Sequence, residues 1–228
     1  MSNYAAGVHA LTPTVLLHVV EGDAPGPTAL VQAGIHGDEI AGVHALEELL
    51  EGGLRPARGR LLVVPCMNPA AYRARTRAAP DGLDLNRCFP GDPESDQPER
   101  RLAAMFMRLI EHERPVMVAT LHESLKRHHP EIAASFGQTL VYGVDPVPPE
   151  VVRVVARLNE HLAHPYERWA PHYYPVETSS TEVIVAATGC LGVCVETWSG
   201  FDLRRRVDMQ KAVVRALLDE VGIGSHAG

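Results

Sequence analysis

The chain has 228 residues, enough for one large domain, and its 46% hydrophobic and 21% charged residues supply a sizeable core. A net charge of −7 with no concentrated basic face argues against nucleic acid as a partner, and Arg204-Arg205-Arg206 reads as a solvated helix end. No apolar run approaches the roughly 20 residues that span a bilayer, so no membrane segment is expected.

Met1-Ser2-Asn3-Tyr4 is not a basic region leading into an apolar core, so no secretory signal is expected. Thr28–Ala33 (T-A-L-V-Q-A) is a short apolar run ending at Gly34 and reads as a buried strand. From Asp38 the pattern turns helical: Ile40, Val43, Leu46, Leu49 and Leu50 recur at three- and four-residue spacing until Gly52-Gly53. Arg60–Cys66 is a second strand, followed by the turn-like Asn68-Pro69. Residues 73–98 have few periodic apolar positions and many Gly, Pro, Asp and Arg, which marks a long functional loop.

Pro98–His112 is an amphipathic helix with Leu102, Met105, Phe106, Leu109 and Ile110 on one face. Strands follow at Val116–Leu121 and Thr139–Val144, and a helix at Glu150–Leu162. Residues 164–182 read as a second long loop over one end of the sheet, Leu191–Val195 as a final buried strand, and Arg204–Val221 as the closing helix. Strands alternating with helices, in a chain poor in aromatics, predict an α/β fold: a mainly parallel sheet between helices, built as a single domain over residues 1–228. The four cysteines are too few for a disulfide framework in a chain this long, so reduced thiols in the cytoplasm are expected.

Ligands in such sheets bind at the carboxyl ends of the strands. His36 and Glu39 follow the first expected strand, Asn68 the second, His122 and Glu123 the third, and Glu196 the last. Two histidines and one carboxylate are a common catalytic zinc set, leaving a coordination position for water. His36, Glu39 and His122 supply that set, the first two three residues apart as on one helical face. Each residue alone has a plainer reading: a helix start for Asp38 and Glu39, a hydrogen-bonded strand end for His122, and an arginine-paired carboxylate for Glu196. Their convergence from three strands favours the metal site.

Leu83–Gly91 (L-D-L-N-R-C-F-P-G) lies in the first long loop, with Asn86-Arg87 at its centre. An arginine fork grips a carboxylate bidentately and a neighbouring amide adds a donor. Upstream, any of Arg73, Arg75 and Arg77 could polarise a carbonyl. The ordered set G-x-H-G-D-E, N-P, D-L-N-R-x-F-P-G, L-H and a late apolar strand bearing Glu resembles the zinc carboxypeptidase superfamily, and within it the succinylglutamate desuccinylase/aspartoacylase branch and the murein-peptide amidases.

The resemblance implies a mixed, mainly parallel eight-stranded sheet and one Zn²⁺ per chain on His36, Glu39 and His122. It also implies Glu196 as general base, Asn86 and Arg87 as holders of a substrate carboxylate, and Arg77, the last arginine before the motif, as carbonyl-polarising group. The implied activity is hydrolysis of an amide beside a free carboxylate in a small acyl-amino acid or short peptide. Cys88 stands where the peptidases usually have Asn, which points to the desuccinylase/aspartoacylase side. The short stretch after the closing helix leaves no room for the extra β domain of aspartoacylases and resembles the compact amidases. Tyr142, Tyr166, Tyr173 and Tyr174 are all candidates for a tyrosine acting over the site.

Overall fold

A computed structural model describes residues 4–132, 134–160, 162 and 164–226. Residues 1–3, where the expected absence of a leader was read, and His161, inside the expected helix 150–162, lie outside the described residues. The first half of the chain runs β1 (Gly7–Ala10), β2 (Leu16–Glu21), β3 (Thr28–Ala33), α1 (Ala41–Glu51), β4 (Arg55–Pro56), β5 (Arg60–Val64), α2 (Pro69–Ala74) and α3 (Pro98–Glu113). The second half runs β6 (Met117–Ser124), β7 (Thr139–Tyr142), α4 (Pro149–Asn159), β8 (Ala170–Tyr173), α5 (Ser180–Thr188), β9 (Leu191–Trp198), α6 (Leu203–Glu220) and β10 (Ser225–His226).

Eight strands form one mixed sheet in the order β1-β2-β5-β3-β6-β9-β7-β8. Its centre, β5-β3-β6-β9, is parallel, and β7 pairs with β8 in parallel; β1–β2, β2–β5 and β7–β9 are antiparallel. The period of two along each strand divides the core. Ala29, Val31, Ala33, Ala119, Leu121, Val193 and Val195 pack under α1, α4 and α6. Leu30, Leu62, Val64 and Val118 face the other way, under α3 and Ile184 of α5. Gln32, Thr120, His122, Cys194 and Glu196 alternate with the first set, so the strands carry their polar residues toward the α3/α5 side.

The expected fold class stands, and four local readings are corrected. α1 begins at Ala41, three residues later than expected, with Ile40 as its N-cap and no acidic residue in its first turn. His36 and Glu39 therefore sit on the turn between β3 and α1, and Asp38 and Glu39 do not complement that helix's dipole. Strands β6 and β9 outrun their apolar segments, because they stay paired in register through His122↔Glu196, Glu123↔Thr197 and Ser124↔Trp198. His122 and Glu196 thus lie within strands, not after them.

Residues 164–182 are not a loop throughout. They contain β8 and the first turn of α5, which Ser179 caps by accepting a hydrogen bond from Glu182 N. β8 (A-P-H-Y) escapes notice because it is a short, half-exposed edge strand. The arginine run is not merely solvated: Arg205 Nη2 lies 2.7 Å from Glu167 Oε2, and Arg206 forms an ion pair with buried Glu123.

Gly37 shows how tightly the β3–α1 turn is seated. A Cβ there would lie 1.9 Å from the carbonyl carbon and 2.1 Å from the oxygen of Ala71 in α2, backbone atoms that cannot swing aside. Gly37→Ala is expected to destabilise the fold by about 3 kcal/mol. Denaturant unfolding checks this, and a loss below about 0.5 kcal/mol would mean that the turn and α2 separate freely.

Candidate active site

His36 leaves β3 on the Gly34-to-Gly37 turn and His122 projects from β6. Both are buried, and their rings lie 4.9 Å apart. Glu39 comes between them: Oε1 is 2.8 Å from His36 Nδ1 and Oε2 is 2.7 Å from His122 Nδ1. One donor atom from each of the three lies within 4.8 Å of the others, the arrangement of a cluster able to hold a metal ion. Behind His36, Nε2 is 3.3 Å from Asp84 Oδ1, the carboxylate support that orients ligating histidines. Glu39 Oε2 also accepts from Glu123 N at 3.1 Å, and Glu123 Oε2 in turn accepts from Ala41 N, tying the cluster to the start of α1.

The charges divide unevenly. Burial opposes the His36 imidazolium, but Glu39 and Asp84 outweigh it and hold its pKa at about 9. Burial also opposes the Glu39 carboxylate, which His122 and His36 together keep well below the usual carboxylate range. For His122 burial wins over Glu39 and the pKa falls. The cluster thus sets a buried anion between one histidine whose charged form is favoured and one whose neutral form is favoured.

Glu196 stands beside His122 in register across β6 and β9. Its Oε2 is buried with no hydrogen-bond partner among the described residues, and Oε1 faces the Cys194 thiol at 3.6 Å. Burial, then the charge of Glu39, raises its pKa well above the ordinary carboxylate value. Among the described residues no arginine pairs with it, and the arginine-paired carboxylate is Glu123, which follows His122 in β6. Arg77 reaches the cluster from the long loop. Its Nε donates to Asp84 Oδ2 at 3.0 Å, and Nη1 lies 3.4 Å from His36 Nδ1 and 3.8 Å from Glu39 Oε1. Neither Arg73 nor Arg75 lines the cavity; Arg75 stacks on Tyr72.

These groups open on a cavity of about 530 Å³. Asn86 and Arg87, on a 3₁₀ turn capped by Asp84, line it. Asn86 Oδ1 accepts from Ser180 N at 2.9 Å, which leaves the amide NH₂ for the cavity. Arg87 donates to the Asn86 carbonyl at 3.0 Å and meets no carboxylate among the described residues. Of the four candidate tyrosines only Tyr174 lines this cavity. Every expected site residue is therefore brought to one place: His36, Glu39, His122, Glu196, Arg77, Asn86 and Arg87.

The expectations omitted Asp84, Cys194, Tyr174 as the tyrosine at hand, and the α5 wall with Thr181 and Glu182. Asp84 belongs to the D-L-N-R motif itself, so its signal was present. The wall reads as loop, and its one local signal is the Ser179-x-x-Glu182 capping spacing.

Residues 25–133, just under half of the chain, match the family described as the succinylglutamate desuccinylase/aspartoacylase catalytic domain. The sequence is 46% identical over 88 residues to an N-alpha-acetyl-L-2,4-diaminobutyric acid deacetylase from Halomonas elongata, spanning 37% of this chain and 25% of that protein. It is 42% identical over 71 residues to murein peptide amidase A from Escherichia coli, spanning 29% of each. The fold of Csd4, a cell shape determinant protein from Helicobacter pylori, superposes on 94% of this chain and 56% of that one, at TM-score 0.83 and 20% identity. A succinylglutamate desuccinylase from a Silicibacter species covers 92% and 61%, at TM-score 0.69 and 24% identity.

Over residues 25–133 the chain is similar to the succinylglutamate desuccinylase/aspartoacylase catalytic domain, and its fold is that of the solved structures named above. The family match contains His36, Glu39, Arg77, Asn86, Arg87 and His122 and ends before β9, so Glu196 rests on the geometry. The chain spans a third or less of the curated relatives named here, so their activities are not carried over with their names. Among the described residues, no helix is long and apolar enough to cross a membrane.

Holding a metal would require His36 to shed the proton that its raised pKa retains. Binding of a divalent metal at pH 7.5 is therefore expected to release about one proton from this histidine, with affinity rising with pH and levelling off above about 9. Calorimetric titrations in buffers of different ionisation heat measure the release. A value near zero at pH 7.5 would show that His36 is neutral there.

Proposed function

We propose that this chain is a single-domain zinc-dependent hydrolase that cleaves an amide bond next to a free carboxylate, acting as an N-acyl-amino-acid deacylase. The observation that carries the reading is Glu196: a buried carboxylate with an unengaged oxygen, held in register beside a His-Glu-His cluster. A purely structural metal site has no use for a base at that place. The donor set fits zinc, since two imidazoles and one carboxylate leave room for exchangeable ligands.

His36, Glu39 and His122 would hold the metal, with Asp84 orienting His36. Bound there, zinc supplies Lewis-acid polarisation of the scissile carbonyl and acidifies water toward pKa about 7. Glu196 takes the proton from the attacking water and delivers it to the leaving nitrogen. The absence of a hydrogen-bond donor on Oε2 and the raised pKa keep this carboxylate basic. Arg77, already fixed by Asp84, offers its guanidinium to the developing oxyanion. Arg87 and the Asn86 NH₂ grip the substrate carboxylate and set its register.

The similarity to a named deacetylase supports the deacylase reading. A cavity of about 530 Å³ also accommodates a short peptide, which supports a metallocarboxypeptidase or murein-peptide amidase as the second reading. Free thiols at all four cysteines fit work in the cytoplasm. N-acetyl- and N-succinyl-amino acids against γ-D-glutamyl peptides separate the two substrates.

Glu196→Gln is expected to keep stoichiometric zinc and lose kcat by about 10²–10⁴-fold, and turnover near the parent's would remove Glu196 as the base. Arg87→Ala should raise KM for carboxylate-bearing substrates about tenfold or more, with a smaller change in kcat. An unchanged KM would place carboxylate recognition elsewhere.

A further inference from the structure

Glu182 lines the same cavity, and no hydrogen bond or ion pair engages its carboxylate among the described residues. Its position in the chain predicts something else. Ser179-x-x-Glu182 is a capping-box pattern, in which the serine accepts from the glutamate N–H and the glutamate carboxylate accepts from the serine N–H. Only half of the box forms. Ser179 Oγ accepts from Glu182 N at 3.2 Å, but Ser179 N donates instead to Val176 O at 2.8 Å. The carboxylate is thereby free of the capping role and lies against Gly143, the residue after β7, in the lining of the cavity.

Gly143 makes room for it. A Cβ at that position would meet Glu182 Oε2 at 1.9 Å and Cδ at 2.1 Å. The half-buried carboxylate has a raised pKa, for which burial is the sole cause.

Strand register places it within the site. Thr139 lies opposite Glu196 and Val141 opposite Cys194, so Gly143 is four residues farther from the Glu196 row, on the order of 13 Å along the chain. Glu182 and Glu196 thus line one cavity at different levels of the sheet, and Val141, Cys194 and Thr181 line it too. Phe136 and Tyr174, ring centroids 4.9 Å apart, add aromatic surface to the same wall, which suits a cation as well as an apolar group. Arg87 supplies positive charge elsewhere in the lining.

We propose that Glu182 is a specificity-determining residue, and that the amino-acid unit held in this cavity carries an ammonium-terminated side chain that pairs with it. This rests on the hydrolase reading for the placement of the amide, and extends it to the substrate class: acylated or peptide-linked diamino acids. Transfer of a carboxylate into a half-buried wall without a partner is unfavourable, and a ligand ammonium is the partner that removes the penalty. A neutral side chain of the same length would leave Glu182 unpaired, and an acidic one would be repelled.

Zinc-loaded E196Q protein titrated with L-lysine and L-ornithine, and with norleucine and norvaline as uncharged counterparts, reads the side-chain preference without turnover. The diamino acids are expected to bind about 10–100-fold more tightly than their counterparts. That ratio should collapse to about threefold or less in E182Q/E196Q and turn toward glutamate in E182K/E196Q. Equal binding of lysine and norleucine in the parent, or a lysine preference that survives E182Q, overturns the assignment. The N-acyl forms of the same amino acids, given to the wild-type enzyme, test the hydrolase reading separately. No turnover of any of them or of γ-D-glutamyl peptides, with the ammonium preference intact in binding, would refute the hydrolase reading and leave Glu182 standing.

Discussion

Both oxygens of the Glu39 carboxylate are engaged by histidines that come from different strands, His36 at 2.8 Å and His122 at 2.7 Å. An anion buried that deeply is tolerable only with such partners, and the partners are held only if β3, β6 and the turn between β3 and α1 keep their places. The rest of the site follows from that demand. Glu123 donates its backbone N–H to Glu39, spends its own carboxylate on Ala41 N and Arg206, and so locks α1 and α6 to the end of β6. Asp84 braces His36 from the long loop and brings Arg77 with it. The loop that looks irregular is the part that closes the cluster.

The sheet contributes by register. Thr120 and Cys194 form one row across β6 and β9, and His122 and Glu196 the next, on the face covered by α5. A buried network joins that row to the covering helix: Gln32 Nε2 donates to Thr120 Oγ1 at 3.0 Å and to Ser180 Oγ at 3.1 Å, and Thr120 Oγ1 is 3.0 Å from Thr181 Oγ1. Asn86 then accepts from Ser180 N. The group expected to grip the substrate carboxylate and the helix bearing Glu182 are therefore parts of one hydrogen-bonded unit. A displacement at either would be felt at the other, because buried polar networks tolerate few alternative arrangements.

Charge is distributed in the cavity with the same economy. Glu39 and Asp84 are matched by histidines and Arg77, whereas Glu196, Glu182 and Arg87 are left without protein partners of opposite charge among the described residues. Elsewhere Arg60 pairs with Glu113 and Arg206 with Glu123, while Glu99 at the start of α3 is buried without an ion pair among the described residues. Unpaired charges of both signs gathered around a His-Glu-His cluster are where reacting and recognised groups are to be sought.

Residue type and spacing alone determined the central parallel strands, the α3 helix and the identity of the cluster residues, because these are short-range signals: a period of two or 3.6, and polar residues recurring at the ends of apolar runs. They did not determine how far β6 and β9 run, since the polar ends of both strands are held by each other and not by hydrophobic burial. They left Arg73, Arg75 and Arg77 open, with Arg77 favoured only by the resemblance; in the structure the hydrogen bond to Asp84 holds Arg77 at the cluster. The α5 wall, read as loop, is decided by contacts to residues nearly a hundred positions away, such as Asn86. Glu182 is the clearest case. Local sequence assigns it to a helix cap, and the tertiary structure turns it into the cavity, because Val176 takes its hydrogen-bond partner and Gly143 gives its carboxylate room.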